Sequence, residues 1–272
     1  MKKQHRIGRV YPRLQMGGAE NAIIQLLEQI GDTHMIVTHV DGMRAEKAKA
    51  LADRYTLLGK PRFCGLLEAL SEVEVVHIHT INDHPLIPLA AQLSGAPTIV
   101  QTVHNHFSPK YCHFVDHSIV VGLELLDRVV TPGRTTHISN GVACPKTLPP
   151  FQPWFVEDRP VRLVELRRPD KQMSFTVEEL VMDGALDGLD FVVDVVGVDK
   201  PSSHPNVRYL GPRKDPTEFV GMADFLVMGT ELETFGRTVY EAMALGTIPI
   251  ATPVQAFTQV FSEGEVVFFS SH

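Results

Sequence analysis

Cysteine is scarce: only Cys64, Cys112 and Cys144 occur in 272 residues, and they are scattered. An odd, dispersed set supplies neither a disulfide framework nor zinc-finger spacing, and it suits a reducing cytosol, so a cytoplasmic location is expected. No apolar run approaches the roughly 18–20 residues that a membrane span needs, which leaves only peripheral contact with a lipid surface open. The basic start, Met1-Lys-Lys-Gln-His-Arg6, leads into the strand-like Ile7–Tyr11 without the apolar segment and small-residue cleavage site of a secretory signal. Positive charge is not in excess: 25 Lys and Arg against 32 Asp and Glu give a formal net charge of −7. A nucleic-acid partner, which needs a basic face, is therefore not expected. There is no tandem repeat or low-complexity tract, and the Gly-x-Gly-x-x-Gly fingerprint of a nicotinamide cofactor is missing. Nothing in the sequence specifies an oligomeric state.

Hydrophobic residues make up 44% and charged residues 21%, values of a globular chain long enough for one large domain or two small ones. In the first half, strand patterns at Ile7–Tyr11, Met35–Val40, Tyr55–Leu58, Val73–His79, Thr98–Val103 and Ser118–Val121 alternate with helical ones. Those helices are read at Ala19–Ile30, Ala45–Arg54, Phe63–Leu70 and Pro85–Leu93. Such alternation predicts a parallel sheet with crossover helices. A proline-rich stretch without periodicity, residues 144–160, reads as a linker. It separates a first domain, 1–143, from a second, 161–272. The second domain repeats the alternation, with strands at Val161–Leu166, Asp190–Val196, Val207–Leu210, Ala223–Met228, Ile248–Ala251 and Val266–Phe269. Its helices are read at Phe175–Met182, Pro216–Met222, Phe235–Leu245 and Gln255–Phe261.

Four stretches carry chemistry. Glu233-Thr-Phe-Gly-Arg-Thr-Val-Tyr-Glu241 lies between a strand and a helix that Gly246 closes. It sets one glutamate at the carboxyl end of a strand and the other about two turns into the helix. The amides of Phe235 and Gly236 would open that helix, and helix openings attract anions. An ordinary strand–helix unit with two solvated glutamates is the plain alternative. Against it, Ala-Met-Ala follows Glu241, and strand-to-helix crossings are where open α/β sheets place ligands. Gly17-Gly18-Ala-Glu20 follows the first strand; paired glycines make a tight turn or let a backbone approach a ligand. Glu165-Leu-Arg167-Arg168-Pro-Asp-Lys171 puts cations at another strand end, as a solvated basic loop or to face a departing anion. Finally, many of the thirteen histidines gather between His77 and His117. Gathered imidazoles can bind a metal, but the three residues between His79 and Asp83 depart from the His-x-His-x-Asp-His spacing of metal-dependent hydrolases.

The Glu233 stretch, with its Phe-Gly and the trailing Ala-Met-Ala-Leu-Gly-Thr-Ile-Pro249, resembles the signature of retaining nucleotide-sugar glycosyltransferases, specifically glycosyltransferase family 4 of group 1. The resemblance implies an α/β GT-B fold, two facing Rossmann-like domains with parallel sheets, and transfer of a sugar from a UDP-, GDP- or ADP-sugar to an acceptor glycan or small molecule. It implies no cofactor and no metal. It also implies Glu241 on the donor ribose, Glu233 on the donor sugar, Lys171 with Arg167 or Arg168 on the diphosphate, and Gly17, Gly18, Phe235 and Gly236 at the donor. His104, in Thr-Val-His, would face the reacting centre, and His79 would lie on the acceptor side. Ser139-Asn-Gly141-Val is a further family-like turn with no chemistry assigned. The segment before Lys171 departs from the family's Gly-Arg-x-x-x-x-Lys pattern, since Glu165 or Leu166 stands where that pair would be. A module that binds nucleotide sugars without turnover, a sugar-nucleotide epimerase and a histidine-cluster metal hydrolase stay open as alternatives.

Overall fold

The computed structural model describes residues 6–15, 17–30, 33–59, 63–79, 86–106, 112–129, 134–144, 159–169, 171–262 and 264–269. Most of the expected linker, together with Asp83 and His84, lies outside them. The chain divides into two units, 1–141 and 142–272.

In the first unit, strands β1 (Ile7–Arg13), β2 (Thr33–Val40), β3 (Arg54–Leu57), β4 (Val75–His79), β5 (Thr98–Val103), β6 (His117–Val120) and β7 (Thr135–His137) form one sheet in the order 3-2-1-4-5-6-7. Every pair is parallel. The crossover helices are α1 (Gly18–Gln29), α2 (Ala45–Leu51), α3 (Phe63–Leu70) and α4 (Leu86–Leu93). Side chains alternate across a strand, and the two faces have separate cores. Val10, Ile36, Val76 and Ile78 pack with Leu66, Leu70 and Ile87 from α3 and α4. Tyr11, Met35 and Val37 pack with Ile23 and Leu27 of α1 and Ala45 and Ala48 of α2. Each fully buried Ile or Leu contributes roughly 1.5–3 kcal/mol.

Several boundaries differ from the sequence reading. β1 runs through Pro12 to Arg13, and the register slips between Tyr11 and Arg13, the irregularity that lets a residue without an N–H sit in a strand. α2 stops at Leu51 and not Arg54, because Arg54–Leu57 pairs with His34–Val37 and the Asp53 carboxylate takes the Thr33 N–H at 2.8 Å. β7 was not anticipated: it is three residues long, with no fully buried side chain, and exists through its pairing with Ser118–Val120.

The second unit has strands β8 (Val161–Leu166), β9 (Phe191–Val196), β10 (Val207–Gly211), β11 (Phe225–Met228), β12 (Ile248–Ala251) and β13 (Val267–Phe268), parallel in the order 10-9-8-11-12-13. Its helices are α5 (Val177–Met182), α6 (Thr217–Gly221), α7 (Arg237–Leu245) and α8 (Gln255–Thr258). Leu163, Val193, Val195 and Val227 bury against Phe175, Val177 and Val181. A capping box between Thr176 and Glu179 starts α5. The fold class is α/β, with a Rossmann-like parallel sheet in each unit. In each sheet the strand order reverses once, between β1 and β4 and between β8 and β11, and ligands bind such sheets at the strand carboxyl ends beside that reversal.

One buried carboxylate in this unit carries a pH-dependent share of its stability. Glu178 accepts from Lys200 Nζ at 2.8 Å, Ser203 Oγ at 2.7 Å and Tyr209 Oη at 2.5 Å. Burial alone would raise its pKa, but these donors outweigh it and hold it at about 2. Because the folded value lies below the ordinary 4.5, the contribution is fully present above pH 4.5 and is lost as pH falls through 2. Glu178→Gln is therefore expected to be less stable than the wild type at pH 7, with the gap narrowing between pH 4.5 and 2 in urea denaturation. A gap independent of pH would contradict this.

Candidate active site

In the second unit, β8 and β11 are neighbours, so the loops leaving their carboxyl ends meet. Met173 bridges Thr230 in antiparallel sense, and the Glu231 N–H donates to the Gln172 carbonyl at 3.3 Å. These ties bring Lys171 onto Glu233: Lys171 Nζ donates to Glu233 Oε2. Both side chains are half-buried, at 28% and 18% exposure, so the pair is held yet reachable. Glu233 Oε1 also accepts the Thr234 N–H at 3.2 Å.

The loop between Glu233 and α7 is fixed by aromatic packing. Phe235 is buried and stacks on Tyr240 with ring centres 4.4 Å apart and planes 5° from parallel, and Tyr240 meets Phe261 at 5.0 Å. Gly236 caps α7 at φ 73°, a left-handed conformation costly to residues with a Cβ, and a Cβ there would stand 2.2 Å from Phe257 Cε1. The helix begins at Arg237 and not at Phe235, because the chain needs this left-handed residue to turn. Its opening amides are thus those of Arg237 and Thr238, while the Val239 N–H already closes on the Gly236 carbonyl at 2.9 Å. Gly246 ends the helix in left-handed conformation, as its position implies.

Glu241 lies on α7 one turn beyond Arg237, whose Nη2 donates to its Oε1 at 2.8 Å. Sequence reasoning passed over Arg237. The signal was present: an arginine in the first turn opposes the helix dipole, and Arg preceding Glu is the weaker order of an i,i+4 pair. A buried cation that breaks a local rule marks a site with another purpose.

Arg167 and Arg168 part company. Arg167 Nε and Nη2 donate to the two oxygens of Glu165 at 2.7 and 2.8 Å, and Glu165, fully buried, also takes the Val177 N–H at 3.0 Å. The acid that breaks the family-like pattern thus clamps Arg167 to the start of α5. Arg168 is exposed, and its carbonyl accepts the Lys171 N–H at 3.2 Å.

In the first unit, Gly17 caps α1 in extended backbone and the exposed Gly18 is its first residue. A Cβ on Gly17 would meet the Glu20 carboxylate, the group that accepts from the Tyr11 hydroxyl. Burial first, then Glu20, pushes the Tyr11 hydroxyl far up, so it stays protonated. Beside this turn, His79 Nδ1 and His104 Nε2 are 3.0 Å apart with their rings stacked at 5.3 Å. His79 is buried; His104 is half-buried. His77 lies against His79 with ring centres 4.1 Å apart and planes tilted by 31°, and it is bonded by Arg9 Nη1 at 2.7 Å and to Thr102 Oγ1 at 2.7 Å. Burial lowers all three imidazoles, His77 to about 3 and His104 to about 4, with His79 well below the ordinary value, so each is neutral at pH 7. Sequence reading missed this buried chain because it depends on pairing between strands far apart in sequence. Among the described residues no three His, Cys, Asp or Glu side chains are arranged to hold a metal ion. His117 bonds Thr136 at 2.8 Å instead.

Residues 202–271 match the family described as Glycosyl transferases group 1. That stretch contains Glu233, Phe235, Gly236, Arg237 and Glu241. No curated protein matches the sequence significantly. Several solved structures share the fold. The apo form of the lipopolysaccharide outer core galactosyltransferase WaaB is 16% identical with a TM-score of 0.66, over 93% of this chain and 82% of its own. A glycosyltransferase from Rickettsia africae is 16% identical with a TM-score of 0.68, over 94% and 81%. The sucrose-phosphate synthase of Thermosynechococcus elongatus is 16% identical with a TM-score of 0.59, over 92% and 82%.

Proposed function

We propose that this chain transfers a sugar from a nucleotide-diphosphate-sugar to an acceptor hydroxyl with retention of anomeric configuration, and without a metal. The observation that carries the reading is the contact of Lys171 with Glu233 beside the β8/β11 reversal, with Glu241 on the helix that follows. The match of residues 202–271 to group 1 glycosyl transferases supports it. Glu241 takes the ribose hydroxyls, oriented by Arg237, and Glu233 the hydroxyls of the donor sugar. Lys171 neutralises the diphosphate as the glycosidic bond breaks, with Arg167 or Arg168 as its partner and the first amides of α7 beside them. Fixed cations that meet charge developing in an oxocarbenium-like transition state accelerate the step, because they gain strength as the charge grows. The departing phosphate itself helps take the acceptor proton, and no side-chain base is assigned. In the first unit, Gly17 and Gly18 are donor-binding residues, His104 is catalytic and His79 lies on the acceptor side. The donor is a UDP-, GDP- or ADP-sugar, no cofactor is required, and the location is cytoplasmic.

A second reading, a module that binds nucleotide sugars without turnover, draws on one observation. The clamp of Arg167 by Glu165 removes a cation that would otherwise face the diphosphate.

A thermal-shift screen with UDP, GDP and ADP tests the donor site. At a concentration about 100 times Kd a ligand stabilises by roughly 2.7 kcal/mol, so one nucleotide should raise the melting temperature by several degrees. Glu241→Ala should lose that rise. No shift with any nucleotide, together with a transition moved by zinc or a chelator, would overturn the proposal in favour of the histidine cluster.

A further inference from the structure

The first unit carries a chain of polar side chains on one face of its sheet. Arg9 pairs in register with His77, and His79 with Thr102. Strand alternation therefore sets Arg9, Tyr11, His77, His79 and Thr102 on the same side, with His104 two residues beyond Thr102. Arg9 is 2% exposed, and its side chain meets an imidazole in place of a carboxylate. A guanidinium can only donate, so Arg9 leaves His77 Nδ1 as an acceptor and fixes the His77 proton on Nε2, where it is given to Thr102 Oγ1. His77 has no proton left for its neighbours.

His79 and His104 share a single N···N hydrogen bond. Two neutral imidazoles joined by one such bond have coupled tautomers: whichever donates, one outer nitrogen is an N–H and the other a lone pair. Among the described residues, the outer nitrogens, His79 Nε2 and His104 Nδ1, are both buried without a partner, as is Arg9 Nε. A buried polar atom left unpartnered calls for an explanation, and a role toward a bound ligand is one. The Arg9 guanidinium, lowered by burial only to about 10, remains charged at pH 7 and acts on His79 as well as on His77. In the sheet order β1-β4-β5, Arg9 stands on the β1 side of β4 and His104 on the β5 side, so this permanent cation disfavours an N–H on the edge of His79 turned away from His104 and favours a lone pair there. Among the described residues, the charged or titratable groups that act on His79 are Arg9, His77 and His104, none of them an anion. Tyr11 meets His79 edge-on at 6.1 Å and keeps its proton toward Glu20, and His77 is neutral.

We propose that His79 is a positioning residue: it donates its Nδ1–H to His104 Nε2 and so fixes His104 as the neutral Nδ1–H tautomer, a hydrogen-bond donor to a ligand oxygen and not a base. This deepens the transferase reading, on which its consequence for catalysis rests. A neutral donor suits an oxygen of a bound sugar, and it leaves acceptor deprotonation to the departing phosphate. The tautomer itself does not depend on that reading.

The test is the nitrogen spectrum of the full chain labelled with 15N-histidine at pH 7, assigned with His79→Asn and His104→Asn. Both His79 and His104 are expected as Nδ1–H tautomers, the form disfavoured by histidine free in water, and His77 as Nε2–H. An Nε2–H tautomer or an imidazolium at His104 would overturn the proposal. His79→Leu should return His104 mainly to Nε2–H, whereas His79→Asn, whose side-chain amide can donate from the Nδ1 position, should keep it Nδ1–H. An unchanged His104 in His79→Leu would equally overturn it. If the leucine variant does not fold, the wild-type and asparagine spectra decide alone. No nucleotide sugar is needed, so a failed tautomer assignment and a failed transferase reading are separate results.

Discussion

Lys171→Ala is expected to reduce sugar transfer by about 100- to 1,000-fold, the usual effect of removing one group that meets developing charge. The loss should fall on kcat, since the charge on the leaving diphosphate grows toward the transition state, and nucleotide affinity should drop far less. Stability should hardly change, because an ion pair as exposed as Lys171–Glu233 is worth about 1 kcal/mol or less. Lys171→Arg should restore only part of the rate, since a planar fork does not replace a compact ammonium. Single-turnover rates with the conjugate of whichever nucleotide binds would measure this. A Lys171→Ala rate within tenfold of wild type would remove Lys171 from the mechanism.

The second large effect is structural. Gly236→Ala should destabilise the second unit by about 2–5 kcal/mol. About 1–2 kcal/mol comes from forcing a Cβ into left-handed backbone, and about 1–3 from overpacking against the buried Phe257 ring. Domains are commonly stable by only about 5–15 kcal/mol, so the variant should melt many degrees lower and lose nucleotide binding. Phe257→Leu should recover part of the packing loss in the double variant, a coupling expected of groups in contact. The backbone part should stay lost. A Gly236→Ala melting curve that overlays wild type would mean that the Glu233 loop is not held as described.

The parts legible in sequence were those decided locally. Val161–Leu166, Phe63–Leu70, Thr98–Val103 and Ile248–Ala251 form as read, because apolar runs bounded by turn residues admit few other structures. The Glu233 loop was legible for a related reason: glutamate, glycine and helix lie within nine residues, and one strand end arranges them. What the sequence hid depends on partners far along the chain. The short strand β7 exists through its neighbour, and the Glu165–Arg167 clamp follows from a buried acid whose orientation no local pattern fixes. The histidines read from spacing as a loose cluster. Pairing of β1 with β4 and of β4 with β5 makes them an ordered chain, with Arg9, from the far end of the unit's sequence, at its head. Arg237 is different, since its conflict with the helix dipole was visible and only its burial was not.

The most direct test of the central claim is to incubate the wild type with UDP-, GDP- and ADP-sugars and an array of hydroxyl acceptors. Nucleoside diphosphate release would be measured, with the anomeric configuration of the product read by NMR. One nucleotide class is expected to be consumed, with a product that keeps the donor's anomeric configuration and little or no release by Lys171→Ala. Binding of the nucleotide without any release would contradict catalysis and leave a binding module, and an inverted product would contradict the retaining mechanism.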